Sequence, residues 1–353
     1  MSNTEKTAKA GLDRRSFLKR SSFASMALLP VAGLLSTTRS ARAGSASISL
    51  SDGDVAVLQF LRAAEFVEAD LWGQYAELAF YNKNFRAALK AIDPALPEYV
   101  MGDHQDELSH ANFITGFLEN AGVTPVDLSS FYTLPAVNVT GVDQSKKRLT
   151  NLTNLTIDTS WYLRYRNQTN PDFGGTYAQT VNITNRPTVP TSNSVTGAQL
   201  DIIAQTAAFH FGAIEQGGSS LYLSLLPKVT NLDVVSILGA IGPTEFYHFA
   251  TFQTALEGIR PMSRNGLVFP DLKGATNSTT ANIFQTLTPR HCAFLDPNLP
   301  ECSVIRPSST ANAGAVAAAS GLAASGLFAG QPQGFVDAVV MLAQAADAAA
   351  RNE

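Results

Sequence analysis

"DELSHANF", residues 106–113, and "TEFYHFATF", residues 244–252, each carry Glu-x-x-His inside an apolar run. On a helix, residues three apart share a face, so Glu107 with His110, and Glu245 with His248, can point at one object. Five histidines and twelve glutamates in 353 residues give roughly 0.17 such pairs by chance, so one match is weak evidence and two are not. Their neighbours Phe113, Ile114, Phe246, Tyr247 and Phe249 speak against a wet outer face. A pair of metal ions needs several oxygen donors to balance charge and nitrogen donors to complete each sphere. Two helices of this kind supply half of that set, and one glutamate from each of two further helices would complete it.

Apolar periodicity predicts those helices. The first runs from about residue 54 to 80, with Ser51 or Asp52 as cap, and carries Glu65 and Glu68. The second covers about 97–120 and ends at Gly122, with Pro125 blocking resumption. In the third, "TGAQ" at 196–199 offers a capping box, Pro227 sets the stop, and Glu215 is the carboxylate of "GAIEQGGSSLYL". The fourth starts near Asn231 or Asp233 and reaches about Gly258; Pro243 inside it predicts a kink or a fresh start just before Glu245. Trp72 follows Glu65 by seven residues, and Tyr222 follows Glu215 by seven, so each aromatic is expected beneath its own glutamate. That parallel favours Glu65 over Glu68 as a ligand and leaves Glu68, Trp72 and Tyr222 as candidates for the layer behind the ligands. His104 is expected at the bundle rim, and His210 to pack or to bond a backbone carbonyl.

Short links within each helical pair imply two antiparallel hairpins. The stretch 125–195, rich in Thr, Asn, Pro and Gly, reads as a crossover with some strand or short helix, packed by Trp161, Tyr162 and Tyr165. The expected fold is all-α, a four-helix bundle spanning 44–260 with this insertion between helices two and three. A loop-rich extension over 261–353 follows, with an Ala-rich helix at about 334–351. Cys292 and Cys302 suggest a disulfide across a Pro-rich loop; a metal role with His291 is the alternative.

Residues 1–43 read as an export signal. Arg14 and Arg15 precede Phe17-Leu18-Lys19, an apolar stretch from Phe23 to Leu35 follows, and Ala41 and Ala43 fit a cleavage site. The paired arginines resemble a twin-arginine signal, which implies a periplasmic or secreted protein delivered folded. Without this segment 17 basic and 27 acidic residues remain, a formal charge of −10 against −4 for the whole chain, which argues against nucleic acid or an anionic membrane as partner. No later run is long and apolar enough to span a membrane. A small homo-oligomer remains compatible with the sequence.

The stretches "EFVEADLW", "DELSHANFITGFLENAG", "IEQGGSSLYLSLLP" and "TEFYHFATF" resemble the ferritin-like domain family of exported, desiccation- and stress-associated bacterial proteins. The resemblance implies a dimetal centre of two iron or manganese ions. Glu107 and Glu245 would be bridging carboxylates, Glu65 and Glu215 terminal ones, and His110 and His248 would hold one metal each. Trp72 stands where a tyrosine is usual. The implied activities are those of a dimetal-carboxylate oxidoreductase meeting dioxygen, peroxide or ferrous iron. The alternatives are a non-catalytic stress or binding protein whose metal is structural or lost and, more weakly, an iron-storing shell.

Overall fold

Ser51 caps the first long helix, α1 (Asp52–Tyr81): its hydroxyl accepts from the Asp54 N–H at 3.1 Å while the Asp54 carboxylate accepts from the Ser51 N–H. Asp54 also accepts from the N–H groups of Thr230 and Asn231, which ties this end of α1 to the turn between the last two bundle helices. The structure is a computed structural model, which describes residues 48–164, 178–273, 290–292, 295–304 and 313–351. The segment expected to be an export signal, residues 1–43, and Tyr165 lie outside the described residues.

A ten-residue helix, α2 (Lys83–Ile92), capped by Asn82, fills the short link expected between the first two bundle helices. Then come α3 (Leu96–Asn120), the short α4 (Trp161–Arg164), α5 (Ala198–Leu225) and α6 (Leu232–Ala255). Gly122 closes α3 in the left-handed region at φ 79°, as expected. Asn231 caps α6 through the N–H groups of Asp233 and Val234. The capping box at Thr196 does not form, because Gly197, at φ 55°, occupies the cap position and offers no side chain. Nor does a new helix start at Pro243: α6 runs through it unbroken, so only the carbonyl four residues back loses its intrahelical partner.

The core shows how the helices run. Two apolar clusters fill the bundle, and every long helix passes from one to the other at its glutamate. Along α1, Val57 to Ala63 belong to the mainly aliphatic cluster and Val67 to Ala79 to the aromatic one. Along α3 the order is reversed, from Leu96 and Val100 in the aromatic cluster to Ile114 and Leu118 in the aliphatic one. α5 repeats the order of α3, and α6 that of α1. Hence α1 opposes α3, α5 opposes α6, and α3 and α5 run the same way. Only a long crossover between α3 and α5 permits this, and the expected all-α bundle is what the chain forms.

Among its described residues that crossover contains two antiparallel pairs, β1 (Leu134–Pro135) with β2 (Lys147–Arg148) and β3 (Leu155–Ile157) with β4 (Ile183–Arg186). It is pinned to α1 by the buried Asp70, whose Oδ2 accepts from the N–H groups of Leu149 and Thr150 and from the Thr150 hydroxyl. Trp161 anchors the other side. Its ring meets Phe249 edge-on at 5.4 Å and lies over Gly212, where a Cβ would come within 2.3 Å of it. Truncating such a side chain costs about 3–5 kcal/mol.

Beyond α6, β5 (Met262–Arg264) pairs with β6 (Leu267–Phe269), and β7 (Arg290–Cys292) with β8 (Cys302–Val304). The last pairing sets Cys292 opposite Cys302, whose thiol is exposed and free; the expected disulfide needs the Cys292 side chain. The side chains of His291 and Cys292 lie outside the described residues. Among the described residues two helices follow, α7 (Ala315–Ser325), which the sequence reading missed, and α8 (Gln333–Ala348). α8 packs on α1, burying Leu342, Ala343 and Ala346. Its Asp347 caps α7 by accepting from the N–H groups of Ala315 and Val316 at 2.9 Å. Among the described residues no helix is long and apolar enough to cross a membrane.

Candidate metal centre

At the level where each helix changes cluster, six polar side chains point inward: Glu65 from α1, Glu107 and His110 from α3, Glu215 from α5, Glu245 and His248 from α6. All are buried; Glu107 and Glu215 have no exposed surface at all. One ligand atom from each of Glu65, Glu107, His110 and Glu245 falls within 4.8 Å of the others, and so does one from each of Glu107, Glu215, Glu245 and His248. The two groups share Glu107 and Glu245. All six residues singled out from the sequence therefore meet, in two overlapping sets of four that could each hold a metal ion. Glu68 belongs to neither set.

The donor atoms crowd together, and His110 Nδ1 with Glu107 Oε2 forms an aligned hydrogen bond among them. His110 Nδ1 stands 3.2 Å from Glu107 Oε2, 3.3 Å from Glu65 Oε2 and 3.4 Å from Glu245 Oε1. His248 Nδ1 stands 3.2 Å from Glu107 Oε1 and 3.4 Å from Glu215 Oε2. His248 Nδ1 and five carboxylate oxygens (Glu65 Oε2, Glu107 Oε1, both of Glu215 and Glu245 Oε1) are buried without an aligned hydrogen bond. Orphaned buried acceptors are costly, and a native core seldom gathers several of them. Around a cation with bonds of about 2.1 Å, donors at right angles lie roughly 3.0 Å apart. Mixed carboxylate and imidazole donors at such spacings fit a pair of divalent ions such as iron or manganese.

Protons do the work of cations when no cation is there. Burial, then Glu65, pushes Glu107 well above the usual carboxylate range, and burial with Glu107 and Glu65 does the same to Glu245. Burial also raises Glu215. Glu65 is the exception: burial opposes its charge, but bonds from His110, Glu107 and Tyr222 hold it below the usual range. Burial likewise opposes charge on His110, yet Glu107, Glu245 and Glu65 outweigh it and hold the imidazole up at about 12. For His248 burial is outweighed by Asp103, Asp106, Glu107 and Glu215. The cluster titrates as a unit, and these protons must leave when metal binds.

Behind the ligands the two aromatics cross over. Tyr222 on α5 donates its hydroxyl to Glu65 on α1. Trp72 on α1 holds its indole N–H toward Glu215 on α5, where it favours the carboxylate, though without an aligned bond. The expectation that each aromatic lies beneath its own glutamate is thus corrected. Two turns are about 10.5 Å along one helix, too far to reach, whereas antiparallel neighbours bring the partners level. Glu68 stands nearby, with Oε2 buried and without a hydrogen bond; burial, then Glu245, Glu215 and Glu65, raises its carboxyl well above the usual range.

Asp103 and Asp106 were missed. Asp106 Oδ2 accepts from His248 Nε2 at 3.0 Å, and Asp103 Oδ1 lies 3.6 Å from the same nitrogen. A proton held there leaves Nδ1 as the lone-pair donor facing the cluster. The signal for Asp103 was present: it precedes Glu107 by four residues and so shares its face. Of the apolar neighbours, Ile114 and Phe249 are buried, but Phe113 and Tyr247 are 59% and 43% exposed, so those two did not carry the argument for burial made on them. His104 is not at a free rim; its Nδ1 meets the Ala69 carbonyl at 3.0 Å, and its ring spaces α3 from Gly73 on α1. His210 is buried, and burial pushes it down to about 3; its Nδ1 bonds the Tyr75 hydroxyl at 2.7 Å rather than a backbone carbonyl.

No curated protein and no solved structure matches the chain significantly. The profile described as the ferritin-like domain matches residues 53–258, from the first turn of α1 to the end of the last bundle helix, and therefore spans all six clustered residues. Covering more than half of the chain, that match shows that the protein belongs to the ferritin-like domain family.

Proposed function

We propose that this chain is an exported protein that binds two iron or manganese ions between Glu65, Glu107, His110, Glu215, Glu245 and His248, and that it works as a dimetal-carboxylate oxidoreductase handling dioxygen, peroxide or ferrous iron under stress. The observation that carries the reading is the sharing of Glu107 and Glu245 by two otherwise separate four-residue sets. Shared carboxylates are what two adjacent cations need between them. A vestigial site would not need to keep a complete donor set, and here each of the two sets keeps three carboxylates and an imidazole.

A bound pair supplies two neighbouring redox ions able to exchange two electrons with a small oxidant. The chain's own groups do the rest. His248, held by Asp106, keeps Nδ1 aimed inward. The Tyr222 hydroxyl donates to Glu65 and limits where that carboxylate can swing. The two apolar clusters keep bulk water away on both sides. The paired arginines at positions 14 and 15 support export with the metals already in place.

Metal analysis of protein matured through its native export route tests the reading. About two iron or manganese ions per chain are expected, both lost in a Glu107→Ala/Glu245→Ala variant. A metal-free wild type of equal thermal stability would instead support a non-catalytic stress protein.

A further inference from the structure

Two cavities adjoin on the flank of the bundle where α1 and α5 face the C-terminal extension. The inner one, of about 50 Å³, runs between Ala63 and Ala64 of α1 and Gly217 of α5, and is roofed by Ala318 and Ala319 of α7. The outer one, of about 380 Å³, opens between the insertion and α7. Ala213, Ile214 and Leu322 line both, so the two cavities meet at these residues.

The inner cavity runs up to the α5 backbone beside the metal centre, with none of the six clustered residues in its lining. Gly218 forms part of its wall, and a Cβ there would come within 2.6 Å of Glu245 Oε2, so that carboxylate lies directly behind the glycine backbone. Glu68 is the charged member of an otherwise aliphatic and aromatic lining, and its Oε2 is buried without a hydrogen bond. The roof comes from residues beyond 258, outside the matched domain, and the mouth is walled by Ile157, Trp161 and Ile183 of the insertion. The two parts that this chain adds to the bundle therefore enclose a path to its centre.

We propose that these cavities form one passage that conducts a small apolar molecule, of the size of dioxygen, to the metal pair, with Leu322 at the constriction and Glu68 and Gly218 at the inner end. The destination rests on the dimetal reading above; the passage does not. Apolar cavities stay dry and take up apolar gases. A volume of 50 Å³ corresponds to roughly three to five water-sized positions, which sets the upper size of the guest. Larger molecules stop in the outer cavity.

Xenon is the probe. Crystals of the full mature chain under xenon pressure are expected to show an anomalous peak between Glu68 and Ala319. Ala319→Phe fills the chamber and should abolish that peak; Leu322→Trp, at a half-buried position that tolerates bulk, should do the same if the first variant does not fold. At equal iron content both variants should slow the oxidation of the ferrous-loaded chain by dioxygen. A wild type without xenon in the chamber, or blocked variants that keep both the peak and the rate, would overturn the passage while leaving the metal centre standing. Xenon uptake by a chain that binds no metal would overturn the destination and with it the proposal.

Discussion

In one half of the centre His110 faces Glu65, Glu107 and Glu245, and a phenol donates to Glu65; in the other His248 faces Glu107 and Glu215, and an indole stands behind Glu215. The ligand types are alike and the supports are not. His248 is 3% exposed and its outer nitrogen is held by Asp106, with Asp103 beside it. His110 is 11% exposed. With metal bound, the locked ring would make the His248 half the tighter position and leave the ligands of the His110 half freer to rearrange. A near-symmetric donor set thus becomes two unequal positions through residues that touch no metal.

The largest effect is expected from a change that strikes both halves together. At Gly218 a methyl group collides only with the end of the Glu245 side chain, a flexible group that can swing aside. Gly218→Ala should therefore keep the fold and lose both metals, read as retained circular dichroism with loss of metal in calorimetric titration. Loss of one metal alone would mean that Glu245 is not shared. Next comes Asp106→Asn, which removes the carboxylate behind His248. Affinity at one of two resolvable sites should fall about 10–100-fold while the other is unchanged. An equal loss at both would erase the distinction between the halves.

Much of this was legible in the residues, for stated reasons. Glu-x-x-His on two apolar helices, with one glutamate on each of the others, has few packing solutions that leave no carboxylate buried alone. Crossover topology followed from the length of the 125–195 connection. What escaped is tertiary in origin. Asp103 shares the inner face of α3 with Glu107, but Asp106 matters only because α6 brings His248 to it, and nothing on α3 itself says so. Trp72 and Tyr222 showed the right spacing, yet which glutamate each serves depends on the antiparallel alignment of α1 and α5. The α2 helix and α7 are short, and α7 is nearly featureless in composition, so tertiary contact decides their state. Pro243 signalled a kink or a fresh start, and α6 continues through it.

Proton release sharpens the comparison further. Glu107 and Glu245 are raised above the usual carboxylate range, so the metal-free cluster retains protons that water-exposed carboxyls would have shed. Metal needs them gone, so affinity should rise with pH, and adding manganese or ferrous ion to weakly buffered apoprotein should lower the pH of the solution. Binding without released protons would contradict the shared-carboxylate arrangement. The smallest effect is expected from Tyr222→Phe. Losing one hydrogen bond to a charged group costs about 1.5–3 kcal/mol at most, and metal should stay bound, with a weaker hold confined to the Glu65 side. A matching effect from Trp72→Phe would show that indole and phenol play the same part.

The most direct test is anomalous diffraction at the iron or manganese edge from crystals of metal-loaded protein. Two peaks are expected about 3.5–4 Å apart, one among Glu65, Glu107, Glu245 and His110 and the other among Glu107, Glu215, Glu245 and His248. A single peak, or metal bound anywhere but between these six side chains, would contradict the shared, two-ion centre.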